Sequence, residues 1–258
     1  MIPLREQEFI RQRFEQELEG KVKIDLFTQK PSALYVPGRE ECAHCDETRQ
    51  MLEELAGLSD KISLTVYEFA DAQEEAKKAG VDKVPGIVLR GPANRPLRFF
   101  GMPGGNEFPN FSDTIVDASK PRLEVSAAAA KRLKKLKQKT SIAVYVTPTC
   151  PYCPGVVRAA YRLALASAQI EATAVEIGEF PRLAQQLGVR AVPMTVINGR
   201  SVIAGAVDEE ALVEHVLKAA EGGTAGAKAA QGGATSQTAP EGRGSPDRPP
   251  DGGLILPP

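Results

Sequence analysis

With 258 residues, 42% of them apolar and 25% charged, the chain is long enough for about two folded domains and has neither a disordered nor a collagen-like composition. Thirty-two basic against 33 acidic residues give a net charge of −1, which removes the global field that draws a protein to nucleic acid or to an anionic membrane. Apolar runs such as Ala143–Val146 and Val192–Ile197 are far short of a membrane span, and the N-terminus lacks the basic-then-apolar order of a secretory signal, so the expected location is cytoplasmic.

In chain order, Arg5–Glu19 reads as an amphipathic helix with Phe9, Ile10, Phe14 and Leu18 as its apolar residues. Val22–Thr28 reads as a strand. Pro31–Glu40 follows as an exposed loop with a Tyr35-Val36-Pro37-Gly38 turn, and then Cys42-Ala43-His44-Cys45. Met51, Leu52 and Leu55 mark a helix face, Ile62–Tyr67 alternates as a strand, and Ala72–Ala79 is a short helix. Val84-Pro85 then leads into a strand, Gly86–Arg90. Ser126–Lys139 reads as a bridging helix with Ser126 as N-cap.

The pattern then restarts. A strand, Ile142–Thr147, precedes Cys150-Pro151-Tyr152-Cys153. A helix carries Val156, Val157, Ala160, Leu163 and Leu165. Ala172–Ile177 is a strand and Pro181–Leu187 a helix. Val192-Pro193 opens the strand Met194–Asn198, Asn198-Gly199 signals a hairpin, and Glu209–Ala220 closes as a helix. From residue 221 the chain is Gly, Ala, Pro, Ser and charge without aromatics, and it is expected to be disordered.

All four cysteines lie in the two Cys-x-x-Cys pairs, 108 positions apart. Gly80-Val81-Asp82-Lys83-Val84-Pro85 and Gly188-Val189-Arg190-Ala191-Val192-Pro193 share one pattern at the same offset, 43 positions from first cysteine to proline in each half. Two features repeated at one internal spacing identify a duplicated unit. The expected fold is α/β: two tandem units of mixed sheet flanked by helices, over 1–120 and 141–220, with a linker helix over 121–140 and a tail over 221–258.

Cysteines confined to two close pairs in a chain of this size belong to chemistry rather than to a disulfide framework. Disulfide exchange needs a thiolate to attack and a second thiol to resolve the mixed disulfide. A helix start lowers the pKa of the first cysteine. Cys42 and Cys150 are therefore the expected attacking thiols, and Cys45 and Cys153 the resolving ones. His44, Pro151 and Tyr152 tune these centres, with Pro151 expected in the first helical turn. Val84, Pro85, Val192 and Pro193 end the strand where proline removes a backbone donor, which leaves the valine main chain to pair with an extended client.

The stretches Val146-Thr147-Pro148-Thr149-Cys150-Pro151-Tyr152-Cys153-Pro154 and Phe100-Gly101-Met102-Pro103-Gly104-Gly105-Asn106-Glu107-Phe108 resemble the tandem protein disulfide oxidoreductases of thermophilic archaea and bacteria, a glutaredoxin-like branch of the thioredoxin fold. The resemblance covers about residues 5–220. It implies two thioredoxin folds in one continuous sheet, and reduction, formation or isomerisation of protein disulfides, with the second centre dominant. It implies no cofactor beyond the redox disulfides Cys42–Cys45 and Cys150–Cys153. The implied partners are disulfide- or thiol-bearing client proteins and, as electron donor, a thioredoxin-reductase-like flavoprotein; nucleic acid and membrane are not among them. Cys-Ala-His-Cys departs towards the disulfide isomerases. Val144 stands where thioredoxins bury a carboxylate, and Asp25 is one register off on the opposite strand face, which points to glutaredoxin-like behaviour.

Three other readings compete. A dithiol carrier dedicated to a peroxidase keeps the chemistry and changes the partner. A chaperone-like module would hold clients at the Val-Pro edges. A zinc protein is disfavoured because paired Cys-x-x-Cys ligand motifs lie ~15–20 residues apart, far closer than these. The basic run Lys131–Lys139 is broken by Leu133 and Leu136 and reads as a solvated helix face, His215 as an ordinary helix residue, and Gly205-Ala206-Val207-Asp208 as a faint likeness to a glutathione-binding segment.

Overall fold

The computed structural model describes residues 2–31 and 41–221. Of the loop expected over Pro31–Glu40, residues 32–40 lie outside the described residues, as does the tail expected over 221–258 from residue 222 onward.

Alternation in the first strand sets the pattern for the rest. Val22, Ile24 and Leu26 of β1 (Val22–Thr28) are fully buried on one face. Around β1 the first half arranges α1 (Leu4–Glu17), α2 (Cys45–Ala56), β2 (Ile62–Glu68), α3 (Gln73–Ala79), β3 (Gly86–Arg90), β4 (Leu97–Phe100) and α4 (Glu107–Ser119). A short helix, α5 (Ala127–Leu133), connects to the second half. There β5 (Thr140–Val146), α6 (Cys153–Ala166), β6 (Ile170–Glu176), α7 (Pro181–Leu187), β7 (Met194–Ile197), β8 (Ser201–Ala204) and α8 (Glu209–Glu221) repeat the order, with one 3-10 turn at Ile177–Glu179.

The strands form one eight-stranded sheet in the order β2-β1-β3-β4-β6-β5-β7-β8. β4 and β6 pair in parallel, Leu97 opposite Ala172 and Phe100 opposite Val175, and this ladder fuses the two thioredoxin-like units. One continuous core then crosses the junction, with Phe14, Leu52, Phe111, Val157 and Leu212 drawn from α1, α2, α4, α6 and α8. The opposite face is covered by α3 and α7 over Phe27, Val88, Phe100 and Val175. Polar ties reinforce the junction: Asp113 on α4 pairs with Arg13 on α1 and with Arg158 on α6, and Asp117 pairs with Arg158 at 3.2 Å.

The repeated Gly-Val-x-x-Val-Pro acquires a structural meaning. Gly80 and Gly188 end α3 and α7 in the left-handed region (φ 71° and 64°), and the next amides, Val81 and Val189, close back on Ala76 and Ala184. This is the helix stop that glycine favours, because a Cβ is strained there. At the second hairpin, Asn198 and Gly199 both have positive φ (53° and 68°), the conformation of a two-residue turn whose twist suits a β-hairpin.

Three local expectations change. Phe9 is 66% exposed, because only Ile10, Phe14 and Leu18 face the core. The bridging helix is shorter than its basic run: Ser126 does cap it, accepting from the Ala129 amide, but α5 ends at Leu133, where Lys131, Lys134 and Lys135 would crowd like charges at helical spacing. Pro151 precedes α6, and Pro154 occupies the first turn instead.

Candidate functional site: two redox centres on one sheet edge

β1 and β5 run in the same direction, since β1–β3 and β3–β4 are antiparallel and β4–β6 and β6–β5 are parallel. Both carry their Cys-x-x-Cys just past the C-terminal end. α2 and α6 pack on the same face. The centres therefore share one edge and one face, separated by four strand spacings, about 19 Å.

Each pair is a disulfide with Cα atoms 5.5 Å apart. α2 begins at Cys45 and α6 at Cys153, so Cys42 and Cys150 lie in the turn before the helix rather than in its first turn. They face the N-terminal ends, where the dipole and unpaired amides favour a thiolate. Cys45 and Cys153 are buried, at 1% and 0% exposure; Cys42 is half-buried and Cys150 only 7% exposed. The Gln29 amide donates to Cys45 Sγ at 3.3 Å. His44 and Tyr152 are the N-caps of the two helices; His44 is exposed and Tyr152 is 69% exposed beside Cys150.

The Val-Pro dipeptides sit beside the centres in both halves. Val84-Pro85 and Val192-Pro193 are cis, with the valine half-buried and the proline buried. Register places Gly86 opposite Phe27 and Met194 opposite Tyr145, which sets each proline next to the strand end that leads to its cysteines. The carbonyls of Pro85 and Pro193 accept from Gly101 (2.8 Å) and Gly205 (2.9 Å), two glycines at φ 90° and 87°.

Between the centres runs the loop from Gly101 to Asn106. The Met102 amide donates to Glu179 Oε1 at 2.6 Å, and a Cβ on Gly101 would meet that same carboxylate at 3.0 Å. Burial raises the Glu179 pKa, which the Met102 amide and His44 pull back down. A carboxylate of the second half thus faces His44 at the first centre. At the other end of the loop, the Asn106 amide donates to the Pro148 carbonyl at 2.9 Å, two residues before Cys150.

That contact leads to Glu107, which the sequence analysis does not single out. It is 1% exposed, Oε2 accepts from Asn110 at 2.9 Å, and Oε1 is buried with no partner among the described residues. Burial, only partly offset by Asn110, pushes its pKa up to about 7. α4 and α6 lie side by side in parallel, Asp113 meeting Arg158 and Asp117 meeting Arg162. The same offset sets Glu107 level with the first turn of α6, where Cys153 stands. Val144 is apolar core, and Asp25 pairs with Arg90 away from the α2 side, so the buried carboxylate level with this centre belongs to the other half of the chain. Its one local signal is its place in the Phe100–Phe108 stretch that resembles the tandem oxidoreductases.

Among the described residues, no cluster of three or more His, Cys, Asp or Glu is placed to hold a metal, and no helix is long and apolar enough to cross a membrane.

Two disulfide centres at helix starts on a thioredoxin-like sheet define a thiol–disulfide oxidoreductase. The Thioredoxin domain family matches residues 140–218. A thioredoxin of Methanocaldococcus jannaschii is 36% identical over 81 residues, 31% of this chain and 95% of that one, and the chain belongs to the thioredoxin family. The crystal structure of a protein disulfide oxidoreductase from Aeropyrum pernix superposes with a TM-score of 0.72 at 25% identity, over 86% of this chain and 95% of that one. The F component of the alkyl hydroperoxide reductase of Xanthomonas campestris is 26% identical over 175 residues, which are 67% of this chain and 31% of that protein. The chain spans about a third of the length of such curated relatives.

Proposed function

We propose that the protein carries electron pairs from a flavoprotein donor to disulfides of client proteins, with Cys150/Cys153 as the working centre and Cys42/Cys45 as a second one. The observation that supports this best is the pair of complete disulfide centres on one sheet edge, each with a Val-Pro dipeptide beside it. Residues 1–120 and 141–220 are the two units of this reading, with 121–140 joining them, and its setting is the cytoplasm.

Cys150, as thiolate, attacks a client sulfur; a mixed disulfide forms and one client thiolate leaves to take up a proton. Cys153 then gives its proton to the Glu107 carboxylate and its sulfur displaces the second client thiolate from Cys150. Two electrons from the donor restore the dithiol. A carboxyl with a pKa near 7 suits this step, since it both accepts and returns a proton at neutral pH. Val192 and Pro193 present main chain to the client and Tyr152 an aromatic edge. Val84 and Pro85 do the same service at Cys42, and His44 tunes that centre by stabilising the Cys42 thiolate.

A second reading, a carrier that serves a peroxidase, is favoured by the similarity to the F component of alkyl hydroperoxide reductase. The test is reduction of insulin disulfides driven by dithiothreitol, using wild type, Cys42→Ser/Cys45→Ser and Cys150→Ser/Cys153→Ser. Loss of activity with the second pair alone is the expected result. Undiminished activity in both variants overturns the assignment. A rate with a peroxidase and hydrogen peroxide far above that with insulin selects the second reading.

A further inference from the structure

The first centre has a half-buried carboxylate beside it, one oxygen of which is shut away from solvent. Glu68 ends β2, level with Thr28 at the end of β1. Its strand neighbours alternate cleanly: Tyr67 stacks on Phe27 on the α3 side, with ring centroids 4.9 Å apart, whereas Ile62, Leu64 and Val66 pack into the core under α2. Glu68 therefore points to the α2 side, at the edge where Cys45 begins that helix.

Two successive amides link them: Gln29 N–H donates to Cys45 Sγ at 3.3 Å, and Lys30 N–H donates to Glu68 Oε1 at 3.2 Å. Glu68 Oε2 is buried and has no hydrogen-bond partner among the described residues. An orphaned buried carboxylate oxygen is costly and calls for a donor. In the disulfide state Cys45 carries no proton; reduction creates an S–H donor at this edge.

The repeat supplies an internal comparison. Glu176 stands at the equivalent position, level with Val146 at the end of β5. Both its oxygens are taken, Oε1 by the Gly178 amide at 3.0 Å and Oε2 by the Glu179 amide at 2.9 Å. The position is closed in the second half, where Glu107 comes in from α4, and open in the first.

We propose that Glu68 is the proton acceptor of the first redox centre, taking the proton of Cys45 as Cys45 resolves the mixed disulfide on Cys42. This rests on the redox reading of that centre above. The Cys45 sulfur bonds to Cys42, the Cys42–client bond breaks, and the proton held by Glu68 passes to the departing thiolate. Among the described residues, the charged and ionisable groups on the elements around Glu68 are Lys30 after β1, His44, Asp46 and Glu47 at the start of α2, and Asp71 after β2. Glu179 from the second half faces His44.

The test uses the full chain carrying Cys150→Ser/Cys153→Ser, reduced and mixed with dithiodipyridine. The first thiopyridone released reports attack by Cys42, and the second reports closure by Cys45. In Glu68→Gln, closure is expected to slow about tenfold or more at pH 7. The gap should narrow towards pH 9, where a free thiol of pKa ~8.5 ionises unaided. Glu68→Asp should recover part of the rate, and the attack step should not change. Closure equal to the parent from pH 6 to 9 overturns the inference, as does an attack step slowed as much as closure, which marks a structural role. A parent that releases no second thiopyridone removes the redox reading of the first centre, and the inference falls with it.

Discussion

The Asn106 amide donates to the Pro148 carbonyl at 2.9 Å, and this single bond ties the start of α4 in the first half to the turn that presents Cys150 in the second. Gly105, at φ 55°, makes the approach possible: a Cβ there would lie 2.4 Å from the Pro148 carbonyl oxygen. Backbone cannot yield as a flexible side chain can. Gly105→Ala is expected to cost roughly 2 kcal/mol or more of stability, from the left-handed φ and the collision together. Denaturant unfolding checks the stability. Insulin reduction by the Cys42→Ser/Cys45→Ser protein, with and without this change, checks that the second centre is disturbed.

Glu107 makes stability depend on pH in a definite direction. Its folded pKa, about 7, is raised from 4.5 by burial. The folded state therefore holds the proton more tightly, and the stability this contributes is complete below pH ~4.5 and lost as pH rises through 7. A shift of this size corresponds to about 3 kcal/mol. Glu107→Gln should flatten that part of the profile and be the more stable protein at pH 8. Urea midpoints at pH 5 and pH 8 for both proteins measure it. The same variant should slow closure at Cys153 near neutral pH while leaving the attack by Cys150 unchanged.

Thr195 is fully buried on β7, level with Val144, and its hydroxyl has no hydrogen-bond partner among the described residues. Met194 and Val196 face the α7 side, so Thr195 points with Ile197 into the main core. Desolvating an unpaired hydroxyl costs free energy that a methyl group does not. Thr195→Val should raise stability by roughly 1 kcal/mol, read as a higher urea midpoint with an unchanged slope.

Much of the architecture is legible in the sequence because it is encoded locally. The alternation of Val22, Ile24 and Leu26 with polar neighbours, the helix stops at Gly80 and Gly188, and the Asn198-Gly199 turn are short-range rules, and the 108-residue repeat extends them from one half to the other. β4 and α4 are not: Leu97–Phe100 is too short to show a period, and α4 is buried along so much of its length that Ser112, Thr114, Asp117 and Ser119 break its apolar stripe.

By itself the sequence determined the chemistry of this protein, since two Cys-x-x-Cys pairs too far apart for one zinc site, each pair followed at the same distance by Val-Pro, point to disulfide exchange. Only the tertiary structure decided which acids attend those cysteines. Glu107 is 43 positions before Cys150 in the chain and reaches α6 only because β4 pairs with β6 and sets α4 beside it. Glu68 and Glu176 occupy equivalent places, yet one keeps an unpaired oxygen and the other spends both on a 3-10 turn. Burial and hydrogen-bond partners fix the behaviour of a carboxyl group, and both are properties of neighbours that the order of residues brings together only on folding.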